Sequence, residues 1–207
     1  MALIMYLNRA PRYDGATAKD IKLIESYYNW KRERALDGPY ACNTLQEWCG
    51  VPESEMPHKY VVNYFLDFIT PKKTYIEGIG EQERESIFEQ MGRIAKANHI
   101  FQWFMSHVIN DNDAKEYCEV TKENLESLLV TCKTVAEGFE FDGEEYSVNA
   151  DLAAKMLPLM DDTGYFFGTG EYGHWYAVKV VDVIQIVENI LNTTNFENQV
   201  IYFNAIW

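Results

Sequence analysis

Hydrophobic side chains recur every three or four residues along much of this chain, the spacing that places them on one face of an α-helix. The longest series includes Ile87, Met91 and Ile94 and continues to Val108, with Asn98 as its one polar member. Helices are therefore predicted over residues 17–36, 57–69, 81–109, 121–136 and 175–191, with shorter helical pieces at residues 44–49 and 148–157.

Residues at the ends of these segments support the predicted boundaries. Thr121 is suited to cap the helix that follows it, and Val120 and Leu125 are placed to form a hydrophobic staple around that cap. Residues 74–79 and 200–207 predict short strands, the second because it is rich in Ile, Tyr and Phe.

Together these elements predict an α+β fold that is predominantly helical, a helical bundle with a few short strands that include a C-terminal strand. The helices at residues 81–109, 121–136 and 175–191 are expected to form the main bundle. The 207 residues are expected to be a single domain. A soft boundary near residues 70–81 would separate a helical N-terminal part, 1–70, from the remaining core, 81–207.

The chain carries 32 acidic and 18 basic residues, for a formal net charge of -14. This charge repels nucleic-acid phosphates and anionic lipids, so direct binding to nucleic acids or membranes is not expected. It favours either solubility alone or attraction to a basic partner, including a protein that ordinarily binds nucleic acid. Aromatic residues make up 14% of the chain, which is typical either of a ring-rich core or of a surface that stacks on a ligand or partner.

The four cysteines, Cys42, Cys49, Cys118 and Cys132, include no C-x-x-C pair, and a chain of this length does not need a disulfide framework. The apolar start of the chain is too short for a signal peptide, and no run of 18 apolar residues predicts a membrane span. A cytoplasmic protein with reduced thiols is therefore expected.

Residues 168–173 spell G-x-G-x-x-G before a predicted helix, which is the context of a dinucleotide-binding loop. Their position near the end of the chain leaves no room for a doubly wound sheet, and Glu171 within the loop would repel a phosphate. A dinucleotide cofactor is therefore not expected. A looser anion or ligand site at the start of the following helix stays open.

No other pattern predicts a cofactor, a metal site or a catalytic group. His99 and His107 are eight residues apart, which is not the spacing of two zinc ligands on one helix. Acidic pairs such as Asp161 with Asp162 fall in turn-like stretches that favour a solvated surface. A Cys–His nucleophile pair stays open, because such residues can meet in space without being close in sequence.

Asn98 interrupts an apolar series, and His99 and Trp103 lie one helical turn apart beside it. A buried asparagine must find hydrogen-bond partners. Asn98 therefore predicts either an internal polar link, for example to the loop at residues 165–176, or a polar contact at the floor of a ligand pocket.

Several stretches after residue 93 resemble one known family. They are residues 95–100 with Trp103 and Phe104, the segment 118–132, residues 164–168 followed by Glu171, Tyr172, Trp175 and Tyr176, and the terminal residues 201–203 with Trp207. These stretches are similar to a family of bacteriophage and prophage proteins with the motif G-[YF]-F-F-G-x-x-E-Y-x-x-W-Y. Gly170 and Gly173 stand where that family has other residues, which argues further against a cofactor loop. The family has no established activity, so the resemblance implies a viral origin and the cytoplasm of an infected bacterium.

The favoured function is that of a non-catalytic phage accessory protein that binds and blocks a host component, such as part of an antiviral defence system. Either an acidic surface could occlude a host protein, or an aromatic pocket could sequester a small nucleotide. The alternatives are a small hydrolase, with Glu171 or His174 as base, and a structural or assembly protein that forms homo-oligomers. The candidate ligand-binding residues are Asn98, His99, Trp103, Phe167, Gly168, Thr169, Glu171, Tyr172 and Trp175.

Overall fold

The computed structural model describes residues 2–35, 59–76, 80–109, 114–160 and 167–207, and the helix expected at residues 44–49 lies outside them. The described helices are α1 (Ala18–Ala35), α2 (Lys59–Leu66), α3 (Asn98–Phe104), which continues as a π-helical turn (Met105–Ile109), α4 (Lys122–Ala136), α5 (Ala150–Met156) and α6 (His174–Thr193). The described strands are β1 (Ile4–Pro11), β2 (Thr70–Ile76), β3 (Gly80–Ser86), β4 (Glu89–Ala95), β5 (Cys118–Val120), β6 (Phe139–Phe141), β7 (Tyr146–Val148) and β8 (Gln199–Ile206).

These elements fall into two compact units. Unit 1 joins Met1–Arg9 to Gln90–Trp207, and unit 2 comprises Ala10–Glu89. The soft boundary predicted near residues 70–81 differs from these limits and falls where β2 and β3 pair as a hairpin. The single domain stays a prediction.

A four-stranded antiparallel sheet, in the order β4-β1-β8-β5, organises unit 1. Leu3, just before β1, and Met5 and Leu7 within it are buried at every second position, the alternation of a strand with one face on a core. The adjacent β8 is buried at every position from Val200 to Ala205, so side chains on both of its faces are covered.

Helices α4 and α6 pack against each other and share one hydrophobic core with the sheet. In α6, Val180, Val183 and Val187 are fully buried and form the apolar stripe that faces this core. Gly92 of β4 allows α6 to approach the sheet closely, because a Cβ at this position would overlap Cγ2 of Ile186.

In unit 2, α1 lies against β3 of the β2–β3 hairpin. The Glu25 carboxylate on α1 accepts hydrogen bonds from the backbone N–H groups of Ile87 and Phe88, the second at 2.9 Å. Hydrogen bonds to an ionised acceptor are stronger than neutral ones, so this contact holds the end of β3 on the helix.

The predicted helix over residues 81–109 is wrong, since this stretch contains β3, β4 and only then α3. In β4, Gly92 and Ile94 are buried whereas Arg93 is exposed, so the burial alternates as in a strand. The prediction of a predominantly helical bundle with a few short strands is wrong for the same reason. The protein is an α+β structure whose first unit is built around the four-stranded sheet.

Other predicted elements are confirmed in their described parts. They are the helices expected at residues 17–36, 57–69, 121–136, 148–157 and 175–191, found as α1, α2, α4, α5 and α6, and the C-terminal strand, found as β8. The cap of α4 also forms, because Thr121 Oγ1 accepts the Asn124 N–H at 3.2 Å while Asn124 Oδ1 accepts the Thr121 N–H at 3.1 Å. Val120 and Leu125 are both buried beside it, as a staple requires.

Candidate functional site

The loop at residues 167–173, which precedes α6, is anchored on the start of α3. Ala97 and Gly168 form an antiparallel bridge, and the adjacent Lys96 has a φ of 54°. Gly168 has a φ of 132°, and a Cβ on it would overlap the carbonyl oxygen of Lys96. Only glycine fits both this backbone conformation and this close approach. The first glycine of the G-x-G-x-x-G pattern therefore has a structural role.

Asn98 adds a side-chain link to the same contact. Its Nδ2 donates to the carbonyl oxygen of Thr169 at 3.1 Å, and Asn98 is only 2% exposed. Thr169 Oγ1 in turn accepts the backbone N–H of Glu171 at 3.2 Å, which closes a local turn. The internal polar link predicted for Asn98 is confirmed, while its contact with a ligand stays a prediction. We call Lys96, Ala97, Asn98, Gly168 and Thr169 the junction.

Two tyrosines tie the loop and α6 to the residues that follow α5. The Tyr176 hydroxyl donates to the carbonyl oxygen of Leu157 at 2.9 Å, and the Tyr172 hydroxyl accepts the backbone N–H of Leu159 at 3.1 Å. Their rings meet nearly edge-on, with centroids 5.2 Å apart. Burial raises the pKa of Tyr176, so its hydroxyl remains a donor at neutral pH.

His99 lies inside unit 1, with 1% of its surface exposed and its ring centroid 4.3 Å from that of Tyr176. Neither of its ring nitrogens has a hydrogen-bond partner among the described residues. Burial, with a smaller contribution from the charge of Lys179, lowers the pKa of His99 to about 3. The imidazole is therefore neutral at physiological pH and poorly suited to general acid–base catalysis there.

The described thiols give little support to nucleophilic catalysis. Burial raises the pKa of Cys132 to about 12, the opposite of what a nucleophilic thiolate needs, and the Cys118 thiol donates to the carbonyl oxygen of Glu116 at 3.9 Å. Cys42, Cys49 and the acidic pair at residues 161–162 lie outside the described residues. Within the residues that are described, no group of three His, Cys, Asp or Glu side chains is placed to hold a metal ion.

Trp103 and Phe167 each have packing partners of their own. Trp103 is 5% exposed, and its ring stacks on that of His107 with centroids 4.5 Å apart. Phe167 lies 6.4 Å from Phe101 and 6.2 Å from Trp207, measured between ring centroids. Both rings therefore contribute to the packing of unit 1.

A short hairpin places further aromatic side chains beside the first turn of α6. Strands β6 and β7 pair so that Phe141 faces Tyr146, with ring centroids 4.9 Å apart. The Tyr146 ring stacks on His174 at 5.9 Å, and the Tyr146 N–H donates to His174 Nδ1 at 3.1 Å. Trp175 continues the row, 5.1 Å from His174. We call Phe141, Tyr146, His174 and Trp175 the hairpin patch.

Exposed carboxylates accompany the hairpin patch. Asp142, Glu144 and Glu145 lie in the turn between β6 and β7, and Glu171 lies in the loop before α6. Asp142 Oδ1 accepts the backbone N–H groups of Glu145 at 2.8 Å and Glu144 at 2.9 Å. These bonds, with a smaller contribution from His174, hold the pKa of Asp142 below its ordinary value, so the turn stays negative.

The nine candidate residues predicted from the sequence separate by exposure. Those that are buried are Asn98, His99 and Trp103; those that are half-buried are Phe167, Gly168, Thr169 and Tyr172; those that are exposed are Glu171 and Trp175. The junction brings Asn98, Gly168 and Thr169 together, and Trp175 belongs to the hairpin patch.

The sequence reasoning missed Phe141 and Tyr146, although a signal for them exists. Asp142 and Gly143 form a turn-favouring pair between two short stretches in which apolar and polar residues alternate, a pattern typical of a β-hairpin. Phe141 and Tyr146 lie on the two strands that flank this turn and are paired across it.

Comparison of the chain with protein-family models, with curated proteins and with solved structures yields no match. The resemblance to phage proteins and the cytoplasmic location therefore stay predictions. Across the described residues, no helix is both long enough and apolar enough to cross a membrane.

Proposed function

We propose that this protein is a non-catalytic binding protein that attaches to a basic surface of a partner protein and blocks it. The resemblance to phage proteins makes a host protein, such as a component of antiviral defence, the proposed target. The observation that carries the proposal is the hairpin patch, where Phe141 and Trp175 are 58% and 65% exposed beside exposed carboxylates.

Exposure and charge both support a protein as the target. Aromatic side chains are enriched at the centres of protein interfaces, where they bury a large area at a small cost in conformational entropy. The net charge of -14 attracts a basic surface over a distance and speeds its approach. The same charge opposes the approach of a nucleic acid or of a nucleotide phosphate.

Sequestration of a small nucleotide has less support. Gly168 is required for the close contact with Lys96, and the amide of Asn98 is bonded to Thr169. His99 is buried and neutral, so it supplies no positive charge to a phosphate. The hydrolase alternative has Glu171 or His174 as its base, and Nδ1 of His174 already accepts the Tyr146 N–H.

The proposal is tested by titrating the purified protein with a fluorescently labelled decapeptide of arginine, a matching decapeptide of glutamate, and a panel of nucleotides. We expect the arginine peptide alone to bind, and to bind more weakly as salt is added, because the Debye length is about 10 Å at 0.1 M ionic strength. Absence of arginine-peptide binding at low salt, or tighter binding of a nucleotide, contradicts the proposal.

The hydrolase alternative is tested on the same preparation. The protein is incubated with the nucleotide panel, with and without divalent cations, and the products are separated by chromatography. We expect every nucleotide to be recovered unchanged. Turnover above a heat-denatured control would replace the binding proposal with an enzymatic one.

A further inference from the structure

The geometry of the hairpin patch points to the chemistry of the segment that docks on it. We propose that the patch is the docking site for an arginine-bearing segment of the partner protein, whose guanidinium group stacks on Trp175 and pairs with Glu144 or Glu145. This inference rests on the proposed function and specifies where the partner binds and which side chain it presents.

The aromatic part of the patch is arranged to accept a flat cation. Trp175 meets His174 at an interplanar angle of 78°, an edge-type contact, and 65% of Trp175 remains exposed. A guanidinium group stacks on aromatic faces, and tryptophan is the most favourable ring for a cation–π contact. Phe141, at 58% exposure, provides apolar surface for the methylene stem of a long basic side chain.

The carboxylates of the turn provide the complementary charge. Asp142 is engaged through Oδ1 in closing the turn, whereas the carboxylates of Glu144 and Glu145 follow it on an exposed surface. A carboxylate can accept two parallel hydrogen bonds from one guanidinium, which a lysine ammonium cannot match in geometry. Arginine is therefore preferred to lysine at this site.

The patch is held in place before a partner arrives. The Tyr146 N–H bond to His174 Nδ1 fastens the hairpin to the start of α6. The Phe139 ring lies 6.1 Å from Tyr146 and 6.4 Å from the buried Tyr176, which connects the hairpin to the core. Because the surface is already ordered, binding loses less conformational entropy than at a flexible loop.

Charge also discriminates between possible occupants. A second copy of this chain would bring a further net charge of -14 to the same surface, and the like charges oppose such a contact. An anionic lipid surface or a nucleic acid is disfavoured in the same way. A basic protein segment is the occupant that satisfies both the carboxylates and the exposed rings.

The test uses labelled decapeptides of arginine and of lysine with the full chain and four variants. Trp175→Ala removes the stacking surface, and its control Val130→Ala changes a side chain on α4 that is also 65% exposed. Glu144→Gln with Glu145→Gln removes two charges from the turn. Its control, Glu126→Gln with Glu197→Gln, removes two exposed charges elsewhere in unit 1. Circular dichroism verifies that each variant is folded.

We expect Trp175→Ala to weaken arginine-peptide binding about tenfold and to reduce the preference for arginine over lysine, since a cation–π contact adds to the charge attraction. Val130→Ala should leave both affinities unchanged. The Glu144 and Glu145 double variant should weaken binding at least about threefold more than its control, which measures the loss of net charge alone.

The outcomes separate this inference from the proposed function. If the arginine peptide binds the unmodified chain and each variant binds like its control, the docking site lies elsewhere and this inference is overturned, while the proposed binding to a basic partner is left resting on the net charge of -14. If the arginine peptide does not bind the unmodified chain, both proposals fail. If light scattering shows a dimer that Trp175→Ala dissociates, a second copy occupies the patch and the inference is overturned.

Discussion

The junction contains the start of the segment at residues 168–175, and the hairpin patch contains its end. Different interactions determine the structure at these two ends. At the junction, backbone overlap and buried hydrogen bonds determine which residue is tolerated, as at Gly168 and Asn98. At the hairpin patch, Trp175 is 65% exposed and contacts its neighbours through ring edges. The difference indicates that the first end positions α6 and the second is free to contact a partner, so substitutions should separate stability from binding.

The largest effect on stability is expected for Gly168→Ala. The φ of 132° disfavours a side chain, and the new Cβ would overlap the carbonyl oxygen of Lys96, so we expect a loss of about 3 kcal/mol in the free energy of unfolding. Gly170→Ala is the matched control, because no atom lies within 4 Å of a Cβ there and the expected change is below about 0.5 kcal/mol. Urea unfolding measures both. Equal midpoints for the two variants would contradict the structural role of Gly168.

The next largest effect concerns His99 and depends on pH. The folded-state pKa of about 3 lies below the ordinary value of 6.5, so between these values the unfolded chain binds a proton that the folded chain does not. The contribution of His99 to stability therefore falls with decreasing pH below 6.5, by about 1.4 kcal/mol per unit. Relative to wild type, His99→Leu should gain about 2 kcal/mol between pH 7.5 and pH 5.

Urea unfolding at the two pH values checks this prediction. His107→Gln is the control, because His107 is exposed on the π-helical turn and its replacement should preserve the acid-dependent loss of stability. If His99→Leu and wild type lose stability in parallel as the pH falls, His99 is not the buried neutral group that the structure shows.

A smaller effect is expected for Tyr176→Phe. The substitution removes the hydroxyl that donates to the carbonyl oxygen of Leu157 and leaves the ring contact with His99 in place. We expect a loss of about 1 kcal/mol, the usual net contribution of one buried hydrogen bond. Thermal unfolding measured at neutral pH provides the test, and an unchanged midpoint would show that this bond does not help to hold α6.

The smallest effect on stability is expected for Trp175→Ala. An exposed side chain outside the core contributes little, so the free energy of unfolding should change by less than about 0.5 kcal/mol. The same variant is expected to lose affinity for the arginine peptide. A large loss of stability in Trp175→Ala would show that Trp175 contributes to packing. The hairpin patch would then not differ from the junction in its importance for stability.

Local sequence signals were sufficient where an element is defined by its own residues. Thr121 caps α4, and Val120 and Leu125 form the staple, all of which act within one helical turn. The position of Asn98 in an apolar series also predicted an internal hydrogen bond, and Asn98 donates one to the carbonyl oxygen of Thr169. In each case, the deciding interactions either join residues that are close in sequence or follow from the need of a buried polar group for a hydrogen-bond partner.

Spacing alone was misleading where pairing with a distant strand decides the structure. Residues 81–95 contain apolar residues at helical intervals and several good helix formers, yet they form β3 and β4. The first pairs with β2 and the second with β1, and these ladder bonds outweigh a local helix preference that is worth only tenths of a kcal/mol per residue.

By itself, the sequence determined the acidic charge, the amphipathic helices with clear ends, the C-terminal strand and the need of Asn98 for an internal partner. Only the tertiary structure decided that Gly168 must be glycine, because its constraint comes from the backbone of Lys96. It also decided that Phe141 and Trp175 belong to one row of rings. The row forms only when the β6–β7 hairpin packs on the start of α6, where Tyr146 contacts His174. Contacts between residues far apart in the chain depend on packing geometry, which no local pattern encodes.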